Sequence, residues 1–265
     1  MFQENAQVLW NKNVGPSYFK IGLICHKGYS DAQPGQFIMV RFANRMFPLL
    51  RRPFSIHRLI VKDDCAKGIE LLYKVVGEGT RALSRLNEGD RLDILGPLGN
   101  GFIFLNKYHR IFIAAGGIGI APMVFLAVSL QQKGVDLSRC TAFLGGRSKA
   151  DLLCADEFVS LGMAVQITTD DGSAGSKCLL THPLEMATSA NRPDIIYACG
   201  PLGMLKCVAN IAEAHTVPCQ ISIETVMACG MGACLGCAVE TKNGAAKYLH
   251  ACVDGPVFDV KTLKI

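Results

Sequence analysis

The sequence predicts a β domain, then a parallel α/β domain, then a short cysteine-bearing tail. Three observations carry that prediction. Residues 1–107 hold short runs of β-branched and aromatic residues separated by turn signals. Residues 108–222 alternate apolar runs with helical stretches, the texture of strands joined by helices. Residues 223–265 show little periodicity but concentrate four cysteines in a ligand-like spacing. With 265 residues, 50% of them hydrophobic, the chain can fill two cores.

In the first segment the strands read as YFKIGLIC, QFIMVRF, FSIHRLIV, IELLYKVV and DRLDILG. Pro34-Gly35, Lys67-Gly68 and Glu88-Gly89-Asp90 supply turns between them. That spacing fits a small barrel or a sandwich. Gly77-Glu78-Gly79 precedes a short predicted helix over residues 80–86.

In the second segment RIFIAA, CTAFLGG, AVQITT, DIIYACG and CQISIE read as strands. Helices are expected after RIFIAA, in DLLCADEFVS, in HPLEMAT and over residues 201–215. Residues 111–130 carry no charge and have the length of a bilayer crossing. Gly116, Gly117, Gly119 and Pro122 interrupt that run. A buried strand, a tight turn and a buried helix explain it better than a membrane span.

The four cysteines of the tail are Cys229, Cys234, Cys237 and Cys252. Their spacing is C-x4-C-x2-C with the fourth fifteen positions on, the plant-type pattern of a [2Fe–2S] cluster. Glycines between the ligands permit the tight turns that let three thiolates converge. Zinc is the competing metal, but zinc ribbons usually pair two C-x2-C knuckles and only one occurs here.

Four further constellations carry chemistry. Arg52-Pro53-Phe54-Ser55 sits in a predicted strand, and Gly77-Glu78-Gly79-Thr80 opens the short helix. Either alone reads more readily as ordinary strand and turn. Gly116-Gly117-Ile118-Gly119-Ile120-Ala121-Pro122 follows a strand and begins a helix, the context of a dinucleotide pyrophosphate site. Proline stands where the last glycine of G-x-G-x-x-G would be, which also suits a helix start. Cys199-Gly200-Pro201 ends a strand, where open α/β sheets bind ligands.

The order RPFS, GEGT, GPLGNGF, GGIGIAP, CGP resembles the ferredoxin–NADP reductase superfamily. With ACGMGACLGC and HACVDGPVF added, the chain resembles, from end to end, the electron-transfer subunits of class 1B dihydroorotate dehydrogenases. The resemblance implies an antiparallel β-barrel FAD domain, a parallel α/β nicotinamide-binding domain and a small [2Fe–2S] domain. It implies that Arg52, Pro53, Phe54 and Ser55 lie along the flavin and its ribityl phosphate. Leu72, Tyr73 and Lys74 would offer strand backbone to FAD, and Gly79 and Thr80 would hold its pyrophosphate. Gly117, Gly119 and Pro122 would border the nicotinamide cofactor's phosphates, with Cys199 and Gly200 beside the nicotinamide. Cys229, Cys234, Cys237 and Cys252 would carry the cluster. Asp170 and Asp171 fall where NADP-using relatives often place a Ser-Arg pair, so acidic residues there favour NAD. Arg147 and Lys149 are the countervailing cations.

The implied partner is an FMN-containing dihydroorotate dehydrogenase catalytic subunit, in a heterotetramer of two of each, within pyrimidine biosynthesis. The alternatives are a sister ferredoxin- or hydrogenase-linked NAD(P) oxidoreductase subunit, or a redox or NAD sensor. A net charge of +5 without a Lys/Arg run gives no reason to expect nucleic acid. Twelve cysteines with no signal-peptide pattern fit a reducing cytoplasm. The six histidines are dispersed, and neither G-x-S-x-G nor H-E-x-x-H occurs. No acid–base apparatus for an organic substrate is therefore expected, since flavin and nicotinamide carry such chemistry themselves.

Overall fold

The computed structural model describes residues 1–42, 49–62, 65–242 and 246–265. The first domain is a closed barrel of β1 (Phe2–Gly15), β2 (Tyr18–Ile24), β3 (Phe37–Phe42), β4 (Arg52–Lys62), β5 (Cys65–Lys74) and β6 (Arg91–Leu98). The strands pair antiparallel in the order β1-β2-β5-β4-β3-β6, which settles barrel against sandwich. The sequence names five of these strands. It does not single out β1, whose MFQENAQVLWNKN is mostly polar because Ala6 and Val8 alone in that stretch are fully buried. Helix α1 (Glu78–Leu83) starts two residues before its predicted position. The Thr80 hydroxyl accepts from the Val76 and Gly77 N–H groups at 2.9 and 3.1 Å, which winds the turn earlier.

The second domain is a six-stranded sheet ordered β14-β11-β10-β7-β8-β9. Its strands are β7 (Ile111–Gly116), β8 (Thr141–Gly146), β9 (Ala164–Thr169), β10 (Ile195–Cys199), β11 (Cys219–Ser222) and β14 (Val257–Asp259). All pair in parallel except β14, which adds antiparallel to β11. The helices are α2 (Ile120–Gln132), α3 (Ala155–Ser160), α4 (Thr181–Ala190) and α5 (Leu202–Ala214). Strand β7 is buried along its whole length, as a central parallel strand covered on both faces should be. Helix α2 is apolar nearly all round because it is wedged between the sheet and barrel strand β4. Among the described residues no helix is long and apolar enough to cross a membrane. Residues 111–130 are thus strand, turn and buried helix, as expected.

Helix α3 is shorter than DLLCADEFVS suggested, because Cys154 takes a left-handed φ of 58° and breaks the run. The tail adds the hairpin β12 (Ala238–Glu240) and β13 (Tyr248–His250), then β14. Asn100 ties the barrel's exit to this tail, its amide donating to the Val253 and Asp254 carbonyls at 3.1 and 3.0 Å. One continuous core joins barrel residues Phe37, Met39 and Leu98 to tail residues Met227, Cys237 and Cys252 and to the sheet.

Candidate redox site

On the barrel, Arg52, Pro53, Phe54 and Ser55 open β4 and pair with Val40, Met39, Ile38 and Phe37 of β3. Arg52 and Phe54 line one surface recess with Gly79 and Leu83 of α1. The RPFS and GEGT segments, distant in sequence, therefore border the same recess. Among the described residues the Arg52 guanidinium donates to nearby carbonyls, Leu50 at 2.6 Å and Arg51 at 3.4 Å, and it stays exposed. It is thus available to an anion. Arg51 is tied down instead, donating to the Asp93 carboxylate at 2.7 Å and to the Asp93 carbonyl at 3.1 Å. Phe54 meets the Tyr73 ring edge-on at 5.9 Å.

Leu72 and Tyr73 bury their side chains, so only their backbone could face a cofactor. Burial pushes the Tyr73 phenol above its ordinary range, and it donates to Asn11 Oδ1 at 3.0 Å. The Lys74 ammonium is already engaged, donating to Asp151 at 2.9 Å. The Thr80 hydroxyl also donates to the Gly77 carbonyl at 3.1 Å, so it builds the turn as well as bordering the recess.

On the α/β side, the GGIG turn and the CGP turn are pressed together at the carboxyl ends of β7 and β10. A Cβ on Gly119 would lie 2.4 Å from the Cys199 carbonyl oxygen. A Cβ on Gly116 would lie 2.9 Å from Pro201 Cδ. Gly117 has φ 53° with open space where a side chain would stand. The backbone there is bare, as close approach by a phosphate requires. Pro122 is the third residue of α2 and is buried. A Cβ on Gly200 would lie 2.7 Å from Met204 Cε and 3.1 Å from the Gly116 nitrogen, so the floor between the two turns is close-packed. Burial pushes the Cys199 thiol up to about 12, which keeps it neutral beside that floor.

Asp170 and Asp171 follow β9 and are exposed. Asp171 accepts from the Ser173 hydroxyl at 2.6 Å and the Ser173 N–H at 2.8 Å, which hold its carboxyl below the usual range. The Arg147 carbonyl accepts from the Asp171 N–H, and the Lys149 N–H donates to the Ser173 hydroxyl. The acidic pair and the two countervailing cations thus occupy one rim.

In the tail, Gly230 and Gly232 adopt left-handed φ of 74° and 83° and fold the cysteine loop back on itself. Its N–H groups point at sulfur. Gly232 donates to Cys252 Sγ at 3.2 Å, and Cys234 and Met231 donate to Cys229 Sγ at 3.4 and 3.5 Å. Burial raises the Cys229 thiol, but the Met231 and Cys234 N–H groups outweigh it and pull the thiol down to about 7. Burial pushes Cys252 up to about 12, and its hydrogen bond with Cys237 adds to that. N–H groups aimed at sulfur in a glycine-built loop are what a thiolate-bound iron–sulfur cluster needs. The donor set fits such a cluster.

The sequence missed the seam between the domains. Asp151 accepts from the Tyr18 hydroxyl at 2.5 Å as well as from Lys74. Glu157 accepts from Lys20 at 2.8 Å and pairs with Arg58. His57 of β4 meets the Ala121 carbonyl of α2 at 2.8 Å. These partners lie 64 to 137 positions apart, so no local pattern announces them.

Residues 224–264 match the family model described as the iron-sulfur cluster binding domain of dihydroorotate dehydrogenase B. Residues 112–210 match the oxidoreductase NAD-binding domain. The chain is 40% identical to the dihydroorotate dehydrogenase B (NAD(+)) electron transfer subunit of Caldanaerobacter subterraneus subsp. tengcongensis, over 96% of this chain and 95% of that one. It is also 40% identical to the subunit of the same name from Desulforamulus reducens, over 86% and 85%. Among solved structures, an NADH-dependent reduced ferredoxin-NADP oxidoreductase is similar at TM-score 0.83 and 29% identity, over 98% of this chain and 89% of that one. A ferredoxin NADP+ reductase from Neisseria gonorrhoeae, at TM-score 0.67 and 15% identity over 80% and 91%, shares the fold. The chain belongs to the family of dihydroorotate dehydrogenase B (NAD(+)) electron transfer subunits.

Proposed function

We propose that this oxidoreductase subunit carries electrons between the FMN of a dihydroorotate-oxidising catalytic subunit and NAD+, by way of a [2Fe–2S] cluster and FAD. The observation that carries this reading is the seating of the cysteine loop on the barrel. Gly230, next to Cys229, packs on Met39, and Met39 pairs with Pro53 of the RPFS strand. Electron tunnelling weakens steeply with distance, so a cluster loop lying on the flavin strand shortens the gap that matters. When bound, the flavin converts between the single electrons of a cluster and the hydride of a nicotinamide.

The chain's own residues would bind and orient. Arg52 would supply a cation to the flavin's phosphate or ring, Pro53 to Ser55 would line it, and backbone at Leu72 to Lys74 would hold its edge. Gly79 and Thr80 would sit against the pyrophosphate. Gly117, Gly119 and Pro122 would take the nicotinamide cofactor's phosphates, with Cys199 and Gly200 beside its reacting ring. Asp170 and Asp171 would repel a 2′-phosphate and so select NAD. Cys229, Cys234, Cys237 and Cys252 would ligate iron.

The partner would dock over the cluster loop. Cys234 is exposed, and Met231, Leu235 and Val253 around the loop are 49%, 59% and 49% exposed, an apolar rim suited to a subunit interface. We infer two copies of each subunit in the assembly and a reducing, cytoplasmic setting, in keeping with twelve cysteines of which none is in a disulfide. The folding units would be 1–107 for FAD, 108–222 for NAD and 223–265 for the cluster.

Mixing tests the reading. With an FMN-containing dihydroorotate dehydrogenase subunit, the chain should give dihydroorotate-dependent NADH formation, and alone it should give none. Coupling to ferredoxin but not to that subunit would favour the sister reading, to which the similarity with the ferredoxin-NADP oxidoreductase points.

A further inference from the structure

His57 is fully buried where the barrel meets helix α2. It lies two residues past Ser55 on the strand that opens with RPFS. Its Nδ1 is 2.8 Å from the carbonyl oxygen of Ala121. Ala121 sits between the Gly117–Gly119 turn and Pro122, in the first turn of α2. A carbonyl only accepts, so Nδ1 carries the proton and Nε2 presents a bare lone pair. Among the described residues that Nε2 has no hydrogen-bond partner, although Glu70 Oε1 stands 3.7 Å away. Burial pushes the imidazole down to about 3, so it is neutral at any working pH.

Cys154 and Glu157 each place a ligand atom within 4.8 Å of an imidazole nitrogen of His57. A cation is nonetheless poorly served there, because Lys20 and Arg58 already hold the Glu157 carboxylate. A buried nitrogen left without a partner is costly, and an apolar side chain would fill this space without that cost. The Nδ1 hydrogen bond is what an apolar residue could not supply. It joins the strand of the flavin recess to the turn that faces the nicotinamide cofactor, across two domains.

We propose that His57 is a positioning residue that fixes the nicotinamide-side turn against the flavin strand. The proposal rests on the functional reading above. Hydride transfer needs donor and acceptor carbons in near contact, and a displacement of about 1 Å can cost on the order of a hundredfold in rate. His57 touches neither cofactor's reacting atoms; it would act through Ala121.

The test compares His57→Asn, whose side-chain N–H can stand in for Nδ1–H, with His57→Leu, which removes it. Two readouts are taken on flavin-loaded protein: anaerobic stopped-flow reduction by NADH, and amide hydrogen exchange of residues 117–125. His57→Leu should lower the limiting reduction rate about ten- to hundredfold. It should also speed exchange in 117–125, with flavin content and iron content unchanged. His57→Asn should restore both readouts to within about threefold of wild type, a tolerance set by the imperfect overlay of donors. A folded, flavin-loaded His57→Leu with wild-type rate and exchange would overturn the proposal. If His57→Leu does not fold, a folded His57→Asn as slow as a tenfold loss would overturn it. A wild-type protein whose bound flavin NADH cannot reduce would instead overturn the functional reading, and this proposal with it.

Discussion

Gly230 and Met39 stand so close that a Cβ on the glycine would lie 2.4 Å from Cγ of the methionine. Met39 is fully buried and pairs across the barrel with Pro53. The residue after the first cysteine proposed to ligate the cluster is therefore one side chain away from the strand proposed to line the flavin. The left-handed φ of 74° at Gly230 is part of the same fit.

Gly230→Ala should disturb both features. The added methyl meets a rigid part of Met39, and the left-handed backbone disfavours it by about 1–3 kcal/mol. Iron and acid-labile sulfide per chain should fall in the purified variant, while flavin content holds. Gly203→Ala, where a Cβ meets nothing within 4 Å, is the matched control and should keep its iron.

Flavin retention should depend more on Arg52 than on Thr80. Arg52→Ala removes an exposed cation at the recess, worth about 1.5–3 kcal/mol against a charged partner. Thr80→Ala also loosens the turn, because the Thr80 hydroxyl accepts from Val76 and Gly77. Fluorescence titration of apoprotein with FAD measures both. Equal affinity in wild type and both variants would contradict the assignment.

Nicotinamide choice should follow the acidic rim. NADH should reduce the flavin much faster than NADPH at equal concentration. Asp170→Ser removes one charge and leaves the Asp171–Ser173 turn intact, so it should narrow the gap several-fold, the effect of about 1 kcal/mol of repulsion. Wild-type protein that prefers NADPH would show that Arg147 or Lys149 governs the site.

Asp93 sets a pH dependence of the barrel. Burial raises its carboxyl, but hydrogen bonds from Arg51 and Arg41 outweigh that and hold it below the usual range. A depressed native pKa stabilises the fold above the unfolded value, and the gain is lost as pH falls through the native value. Asp93→Asn should therefore cost about 3 kcal/mol at neutral pH. The difference from wild type should stay level down to about pH 5 and shrink below about pH 4. Thermal unfolding across that range checks it, and a difference that grows with acid would contradict it.

Much of this was legible in sequence because the signals are local. Strand–helix alternation, the glycine turns and the cysteine spacing each depend on a few neighbouring residues. Strand β1 was not, because its outward side chains are polar and its inward set is sparse. Strand β14 was not, because three residues carry no period and its pairing with β11 is set by the tail's path. The seam at His57, Asp151 and Glu157 was hidden for a related reason: each bond joins residues that only the folded chain brings together. Lys74 shows the same limit, since its strand position was predicted while its bond to Asp151 was not.

The central claim is that electrons from the partner reach the flavin only through the cluster. The most direct measurement pairs two rates in the complex with the catalytic subunit, for wild type and for Cys234→Ser, whose iron content confirms loss of the cluster. Reduction of the bound FAD by NADH should be unchanged in the variant, whereas dihydroorotate-dependent NADH formation should vanish. Cys65→Ser, on an exposed strand end, should keep both. Dihydroorotate-dependent NADH formation that persists at the wild-type rate in a cluster-free variant would contradict the account.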